Sequence, residues 1–218
     1  MAFKPHDGSD VYDEVNEYPN WDHWNGGGLY RGIPTMQNKQ FIPAFTELFA
    51  RTNITRILEV GTADGGLIHA ITDIKDVEVV TYDVRMPRHA DKLADKNINI
   101  VIKDIFTDLE FAKRYIQLKG QTLVLCDGGD KPREFHVLSS YLKPGDIIMA
   151  HDYCRDSEMW TSGFKEKVWA NAEIVYGHID FAVRTHGLSG FMTDEFQAAA
   201  WTCWQKRSEE HTSELQSH

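Results

Sequence analysis

One short segment of the chain has the acidic and glycine residues of a nucleotide-binding loop. It reads Glu-Val-Gly-Thr-Ala-Asp-Gly-Gly from position 59 to 66 and lies between an apolar β-type run and a helical pattern. A strand that turns through glycines into a helix brings backbone close to a ligand and points N–H groups at it. We therefore predict a cofactor site at the carboxyl end of this strand. Its residues are Glu59, Gly61, Thr62, Ala63, Asp64, Gly65 and Gly66.

Two acidic residues follow the next two strands and indicate which cofactor binds. Asp83 comes 22 positions after Gly61, where a carboxylate can accept hydrogen bonds from ribose hydroxyls. Asp104 could accept from an adenine amino group, or it could cap the helical segment that begins near Thr107. A negative charge on Glu59 would suit a sulfonium ligand and disfavour a pyrophosphate. Ala63 stands where the dinucleotide motif needs its second glycine, so S-adenosylmethionine (SAM) is favoured over NAD.

A second set of polar residues follows two later strands. Asp127 and Asp130 lie in Cys-Asp-Gly-Gly-Asp, and His151 and Asp152 follow Ile-Ile-Met-Ala. Because the carboxyl ends of parallel strands share one edge, we expect Asp127 and His151 at the ligand edge, with His151 as a candidate general base. The alternatives are structural. Asp127 and Asp130 could turn the chain and cap the next helix, and His151 and Asp152 could form a hydrogen-bonded pair.

Alternating strand and helix patterns position these residues. Strands are predicted at 56–60, 77–82, 98–102, 122–126 and 147–150, and helices follow them at 67–74, 89–96, 109–118 and 134–142. The strands are apolar throughout, which is typical of a parallel sheet covered on both faces. We predict an α/β fold with a Rossmann-like, doubly wound, mostly parallel sheet and helices on both faces. A helix at 164–172, a strand at 173–179 and an apolar run at 198–204 would add a C-terminal antiparallel strand.

The chain divides into three parts. Residues 1–28 form a polar arm with Trp21 and Trp24, and residues 29–206 form the single cofactor-binding domain. Residues 207–218 break the apolar pattern and resemble the translation of a sequencing adapter, so we predict them to be disordered and exclude them from the fold.

Composition excludes several partners. The net charge is −10 and no Lys/Arg-rich run occurs, which argues against binding along nucleic-acid phosphates. No apolar run reaches the roughly 20 residues of a membrane span. Three cysteines without metal-type spacing suggest reduced thiols. We expect a cytoplasmic protein with a small-molecule acceptor, and the aromatic arm could also form a homo-oligomer contact.

Four blocks of the sequence resemble a known family. They are residues 30–38 (Tyr-Arg-Gly-Ile-Pro-Thr-Met-Gln-Asn), 59–66, 126–130 and 142–152 (Leu-Lys-Pro-Gly-Asp-Ile-Ile-Met-Ala-His-Asp). In these blocks the chain resembles the cephalosporin hydroxylase/rhamnosyl O-methyltransferase family of class I methyltransferases. The resemblance implies a SAM-binding Rossmann-like domain. Several members of the family also bind a divalent metal, and the resemblance implies that Asp127 and Asp152 are the corresponding ligands here.

The resemblance and the residues together predict a chemistry. The oxygens of Asp127, Asp130 and Asp152 would suit Mg²⁺, which lowers the pKa of a bound hydroxyl. His151 stands where an acidic residue is common in the family, and it could be a ligand or the base. We predict SAM-dependent O-methylation of a sugar or small natural-product hydroxyl. The alternatives are an NAD-type oxidoreductase and a catalytically silent SAM-binding domain.

Overall fold

A seven-stranded sheet organises the molecule. The computed structural model describes residues 28–37, 40–94, 96–156 and 174–208. The strands are β1 (Gly28–Tyr30), β2 (Ile33–Thr35), β3 (Ile54–Val60), β4 (Glu78–Asp83), β5 (Ile98–Ile102), β6 (Gln121–Cys126), β7 (Ile147–Ala150), β8 (Tyr153–Cys154), β9 (Ile174–Val175), β10 (Leu188–Gly190) and β11 (Thr202–Lys206). The main sheet has the order β10-β11-β7-β6-β3-β4-β5, and two-stranded sheets β1-β2 and β8-β9 stand apart from it.

Strand direction confirms the predicted fold class. Strands β3 to β7 pair in parallel, whereas β11 runs antiparallel to β7 and β10 runs antiparallel to β11. After β5 the chain crosses over to the other side of β3, where it forms β6. A crevice therefore opens at the carboxyl ends of β3 and β6, where open α/β sheets bind ligands.

Successive side chains of the central strands enter two separate hydrophobic cores. Ile57 and Leu123 belong to one core, and their neighbours Leu58 and Val124 belong to the other. All four side chains are completely buried. This explains why these strands are apolar at every position, because a strand alternates its side chains between two covered faces.

Helices cover both faces, as predicted. They are α1 (Phe41–Arg51), α2 (Gly66–Ile74), α3 (Ala90–Leu93), α4 (Leu109–Gln117), α5 (Lys131–Ser139), α6 (Tyr176–Thr185) and α7 (Thr193–Gln197). Helices α1, α2 and α7 contribute to the first core, and α4, α5 and α6 contribute to the second.

The C-terminal hairpin forms from different residues than the sequence predicted. The predicted strand at 173–179 is wrong: the two-residue strand β9 gives way to helix α6. Ile179, Ala182 and Val183 are buried in α6, and this i, i+3, i+4 spacing is helical. The hairpin pairs β10 with β11, so the predicted run at 198–204 becomes a strand only at Thr202.

Several expectations fall at the ends of the described chain. The arm with Trp21 and Trp24 and the predicted helix at 164–172 lie outside the described residues, as do residues 209–218. Arg207 was assigned to the excluded segment, yet its N–H donates to the carbonyl of Gly187 and its guanidinium to that of Leu188. The folded domain therefore extends at least to Arg207. None of the helices described is long and apolar enough to cross a bilayer.

Candidate active site

The nucleotide loop turns between β3 and α2 against the loop after β6. Gly61 has φ +95° and Gly65 has φ +87°, a backbone region that favours glycine. A Cβ atom at Gly61 would also collide with the carbonyl oxygen of Asp127. The loop therefore needs glycine at position 61 for conformation and for space, and it brings the ends of β3 and β6 together.

The carboxylate of Asp83 ties the end of β4 to this loop. Its Oδ2 accepts from the backbone N–H of Ala63 at 2.8 Å, and its Oδ1 accepts from that of Arg85 at 2.9 Å. Ala63, at the second-glycine position of the dinucleotide motif, adopts φ +50°. The two hydrogen bonds of Asp83 thus fix the loop and also hold the Asp83 carboxylate at the cleft.

The structure places Glu59 behind the loop. Its side chain is completely buried and accepts from the hydroxyl of Thr81, which is also 2.6 Å from the hydroxyl of Thr62. Burial raises the pKa of Glu59 to about 8, which the hydrogen bond from Thr81 opposes. A pKa of this value favours the protonated carboxyl at pH 7 in the absence of a cationic ligand, whereas the sequence suggested a negative charge. The hydrogen bond from Thr81 lets Glu59 hold the loop from behind.

A cleft of about 320 Å³ opens at the carboxyl ends of β3, β4, β5 and β6. Gly61, Asp83, Asp104 and Asp130 line it together with Gly128 and other residues. Asp104 also caps the short 3₁₀ turn Ile105–Thr107, since its Oδ1 accepts from the N–H of Phe106 at 2.9 Å. The structure thus brings residues of the two predicted groups into one cleft.

The other loop residues lie around this cleft rather than on its surface. Asp64 faces Arg88 with 3.9 Å between its Oδ1 and the guanidinium Nε. Gly65 precedes α2 and Gly66 begins it. A Cβ at Gly66 would collide with the carbonyl of Pro34, so this glycine allows β2 to pack on the start of α2.

Asp127, His151 and Asp152 converge beside the cleft. The imidazole Nδ1 of His151 is 3.1 Å from Oδ1 of Asp127 and 3.4 Å from Oδ1 of Asp152. One potential metal-ligand atom from each residue lies within 4.8 Å of the others. Asp152 has φ +55°, an uncommon backbone conformation that is often found at functional sites.

Charge dominates the titration of His151. Burial opposes protonation of the imidazole, but the carboxylates of Asp152 and Asp127 outweigh it, so the pKa of His151 is raised above its usual value. With its proton on Nδ1 the ring donates to Asp127, and Nε2 then carries the lone pair. This is the arrangement of an imidazole base oriented by a carboxylate.

The sequence did not predict three side chains that complete the cluster. Gln37 donates from Nε2 to Oδ2 of Asp127 at 3.1 Å and accepts from the indole N–H of Trp201 at 2.8 Å. The Trp201 and His151 rings pack with centroids 4.8 Å apart. The third, Lys131, has its ammonium 3.1 Å from Oδ2 of Asp152 and 3.6 Å from Oδ1 of Asp127. Gln37 lies in the sequence block 30–38, but a glutamine by itself indicates no functional role.

Asp130 does not join this cluster, which corrects its predicted role as a metal ligand. Its Oδ1 accepts from the N–H of Arg133 at 3.2 Å, which makes it the N-cap of α5. Glu134 accepts from the N–H groups of Gly128 and Asp130, each at 3.2 Å. Burial raises the pKa of Glu134 to about 7. Both carboxyls therefore order the loop between β6 and α5, as the alternative interpretation proposed for Asp130.

A second cavity of about 360 Å³ borders the cluster through Trp201. Tyr153, Tyr176 and Trp204 contribute aromatic walls, and Arg155 and Asp194 contribute charged groups. Mostly apolar walls with a few polar groups are typical of small-molecule sites.

Comparisons with solved structures show which proteins share this fold. An apo structure of CmcI superposes with a TM-score of 0.58 at 13% identity, covering 82% of this chain and 76% of that one. A structure of CmcI with Mg and SAM gives 0.55 at 15% identity over the same shares. An O-methyltransferase family protein from Burkholderia thailandensis gives 0.50 at 12% identity, and 78% of this chain spans 56% of that one.

The sequence matches no protein-family model and no curated protein. The likeness to solved structures is therefore a likeness of fold, which this chain shares with CmcI and with an O-methyltransferase family protein.

Proposed function

We propose that this protein is a SAM-dependent O-methyltransferase that acts on a small hydroxyl-bearing molecule. The observation that carries the proposal is the junction of the glycine-lined cleft with the Asp127–His151 pair at one edge of the sheet. The fold that the chain shares with an O-methyltransferase family protein and with CmcI bound to Mg and SAM supports the same function.

The proposed cofactor residues divide their tasks. Asp83 and Asp104 present carboxylates at the ends of β4 and β5, where ribose hydroxyls and an adenine amino group would find acceptors. The loop around Gly61 lets backbone approach the ligand. Bound SAM would supply a methyl group on a sulfonium, and positioning of the acceptor is then the main task of the protein.

His151 is proposed to take the proton of the acceptor hydroxyl. Asp127 fixes the imidazole through Nδ1, and Gln37 fixes Asp127 in turn. His151 can accept a proton only when its ring is neutral, and its pKa is raised above the usual value. Methyl transfer should therefore increase as pH rises through this pKa.

The acceptor is proposed to be a sugar or a small natural-product hydroxyl in the cavity beside Trp201. Tyr153, Tyr176 and Trp204 would pack on the apolar face of such a molecule, and Arg155 and Asp194 would orient its polar groups. The net charge of −10 supports a small acceptor over a nucleic acid. We propose that the protein acts in the cytoplasm, without membrane attachment, and the homo-oligomer stays a hypothesis.

The cluster fits the Mg²⁺ that the sequence predicted only in part. Three donor atoms converge, yet one is an imidazole nitrogen, whereas Mg²⁺ prefers oxygen. The buried Lys131 ammonium already contacts both carboxylates. A hard divalent cation does not fit while this ammonium is in place, so the proposed reaction proceeds without one.

Transfer of a radiolabelled methyl group tests the proposal. Purified protein with methyl-labelled SAM is offered sugars, phenols and their deoxy counterparts, in EDTA and in Mg²⁺. We expect label on a hydroxyl-bearing acceptor and a loss of at least about 100-fold in His151→Gln, typical of removing a general base. His136→Gln is the matched control, because its ring nitrogen lies 2.7 Å from the carbonyl of His178 and its ring packs near Phe181, both in α6.

Other outcomes would select the alternatives. SAM binding without transfer to any acceptor, in wild type and control alike, would indicate a catalytically silent SAM-binding domain. Hydride transfer to NAD would indicate an oxidoreductase.

A further inference from the structure

The ammonium of Lys131 occupies the meeting point of two carboxylates. Its Nζ contacts Asp152 at 3.1 Å and Asp127 at 3.6 Å, and it donates to the carbonyl of Gly128 at 3.1 Å. The side chain is only 5% exposed. A buried cation therefore already joins the residues that would ligate a metal.

We propose that Lys131 is a built-in replacement for a divalent cation in this cluster and excludes metal from it. The inference bears on the proposed function in one respect, because it makes the proposed methyl transfer independent of a metal. The occupancy of the cluster by Lys131 is a separate property, which can be measured without any methyl transfer.

Charge balance supports the replacement. Asp127 and Asp152 bring two negative charges into a buried space, which is unfavourable unless they are paired. Lys131 neutralises one of these charges through its contacts with both carboxylates. A divalent cation added to this set would leave excess positive charge beside the ammonium, and like charges repel strongly in a buried site.

The position of Lys131 in α5 supports the same conclusion. It is the first residue of the helix, where the positive end of the helix dipole disfavours a cation. The helix therefore does not account for a buried ammonium at this point, whereas the two carboxylates do. Pro132 and the capping of α5 by Asp130 fix the backbone that carries it.

Binding of Mn²⁺, followed by electron paramagnetic resonance of the free ion, tests the proposal. We expect no stoichiometric Mn²⁺ site in the wild-type protein. Lys131→Met should gain one Mn²⁺ site, with an affinity at least about tenfold above the weak, non-stoichiometric binding of wild type. Adding Asp152→Asn should abolish this site.

Lys143→Met is the matched control. Lys143 also pairs with a buried carboxylate, since its Nζ is 2.7 Å from Oδ2 of Asp146. Among the described residues, Asp146 does not belong to a group of potential metal ligands. The Lys143→Met variant should therefore bind no additional Mn²⁺.

Two results would overturn the proposal. One is a stoichiometric Mn²⁺ site in the wild-type protein that disappears in Asp152→Asn. The other is a Lys131→Met variant with native near-ultraviolet circular dichroism and no gain in Mn²⁺ binding. If Lys131→Met does not fold, the wild-type titration decides alone, because a stoichiometric site contradicts the proposal and its absence supports it. SAM titration of the same wild-type sample reports separately on the proposed function.

Discussion

The Asp127 carboxylate is shared among three groups that come from different places in the chain. Gln37 contacts its Oδ2, while His151 and Lys131 both face its Oδ1. A carboxylate with this many partners is held in one orientation, and it holds the imidazole of His151 in turn. Residue by residue, the centre is a network of fixed charges, which is how enzymes preorganise a reacting group.

Glu59 gives a prediction on the pH dependence of stability. Its pKa is raised from 4.5 to about 8 in the folded chain, so between these values the folded protein holds a proton that the unfolded chain has lost. Stability from this group is therefore complete below pH 4.5 and falls as pH rises to about 8, by up to about 4 kcal/mol.

Glu59→Gln replaces the titratable carboxyl with a neutral amide and should therefore remove the decline of stability with rising pH. We expect the free energy of unfolding in urea, measured from pH 5 to 8.5, to rise in Glu59→Gln relative to wild type as pH increases. Glu47→Gln, at an exposed residue paired with Arg51, should follow the wild-type profile. Parallel profiles for wild type and Glu59→Gln would contradict the neutral, buried carboxyl.

At the scale of elements, the start of α5 controls the geometry of the site. Asp130 caps the helix, Glu134 ties down the loop before it, and Lys131 leaves its first turn towards Asp152. The helix thus links the cofactor cleft to the cluster of Asp127 and His151.

Asp130→Ala should weaken this element without disrupting the fold. Loss of an N-cap costs about 1 kcal/mol, so we expect the free energy of unfolding in urea to fall by that amount. Ser140→Ala, at the other end of the same helix, should change it by less than about 0.5 kcal/mol. An Asp130→Ala variant as stable as wild type would show that the capping contact contributes nothing.

The elements that the sequence predicted well are those buried on two sides. Strands such as β6 and β7 have no polar face, and their apolar runs leave no other assignment. Helix α6 was misread because the run from Ile174 to Ile179 begins as a strand and continues as a helix. Strand β10 has three residues and only Leu188 is buried, which is too little pattern to identify.

Across the whole molecule, the cleft and the cluster depend on contacts between distant parts of the sequence. Gln37 and Asp127 are 90 positions apart, and Gln37 and Trp201 are 164 positions apart. Motif spacing located Asp83 and Asp127 because both follow strands of one sheet edge. It could not locate Gln37, Lys131 or Trp201, since their roles arise only when α5, the segment after β2 and the residues before β11 meet.

Calorimetric titration with SAM and then with NAD tests the central claim most directly. The wild-type chain should bind SAM and not NAD, with or without Mg²⁺. Asp83→Ala should abolish SAM binding, because Asp83 both lines the cleft and fixes the N–H of Ala63. Binding of NAD without binding of SAM would contradict the account.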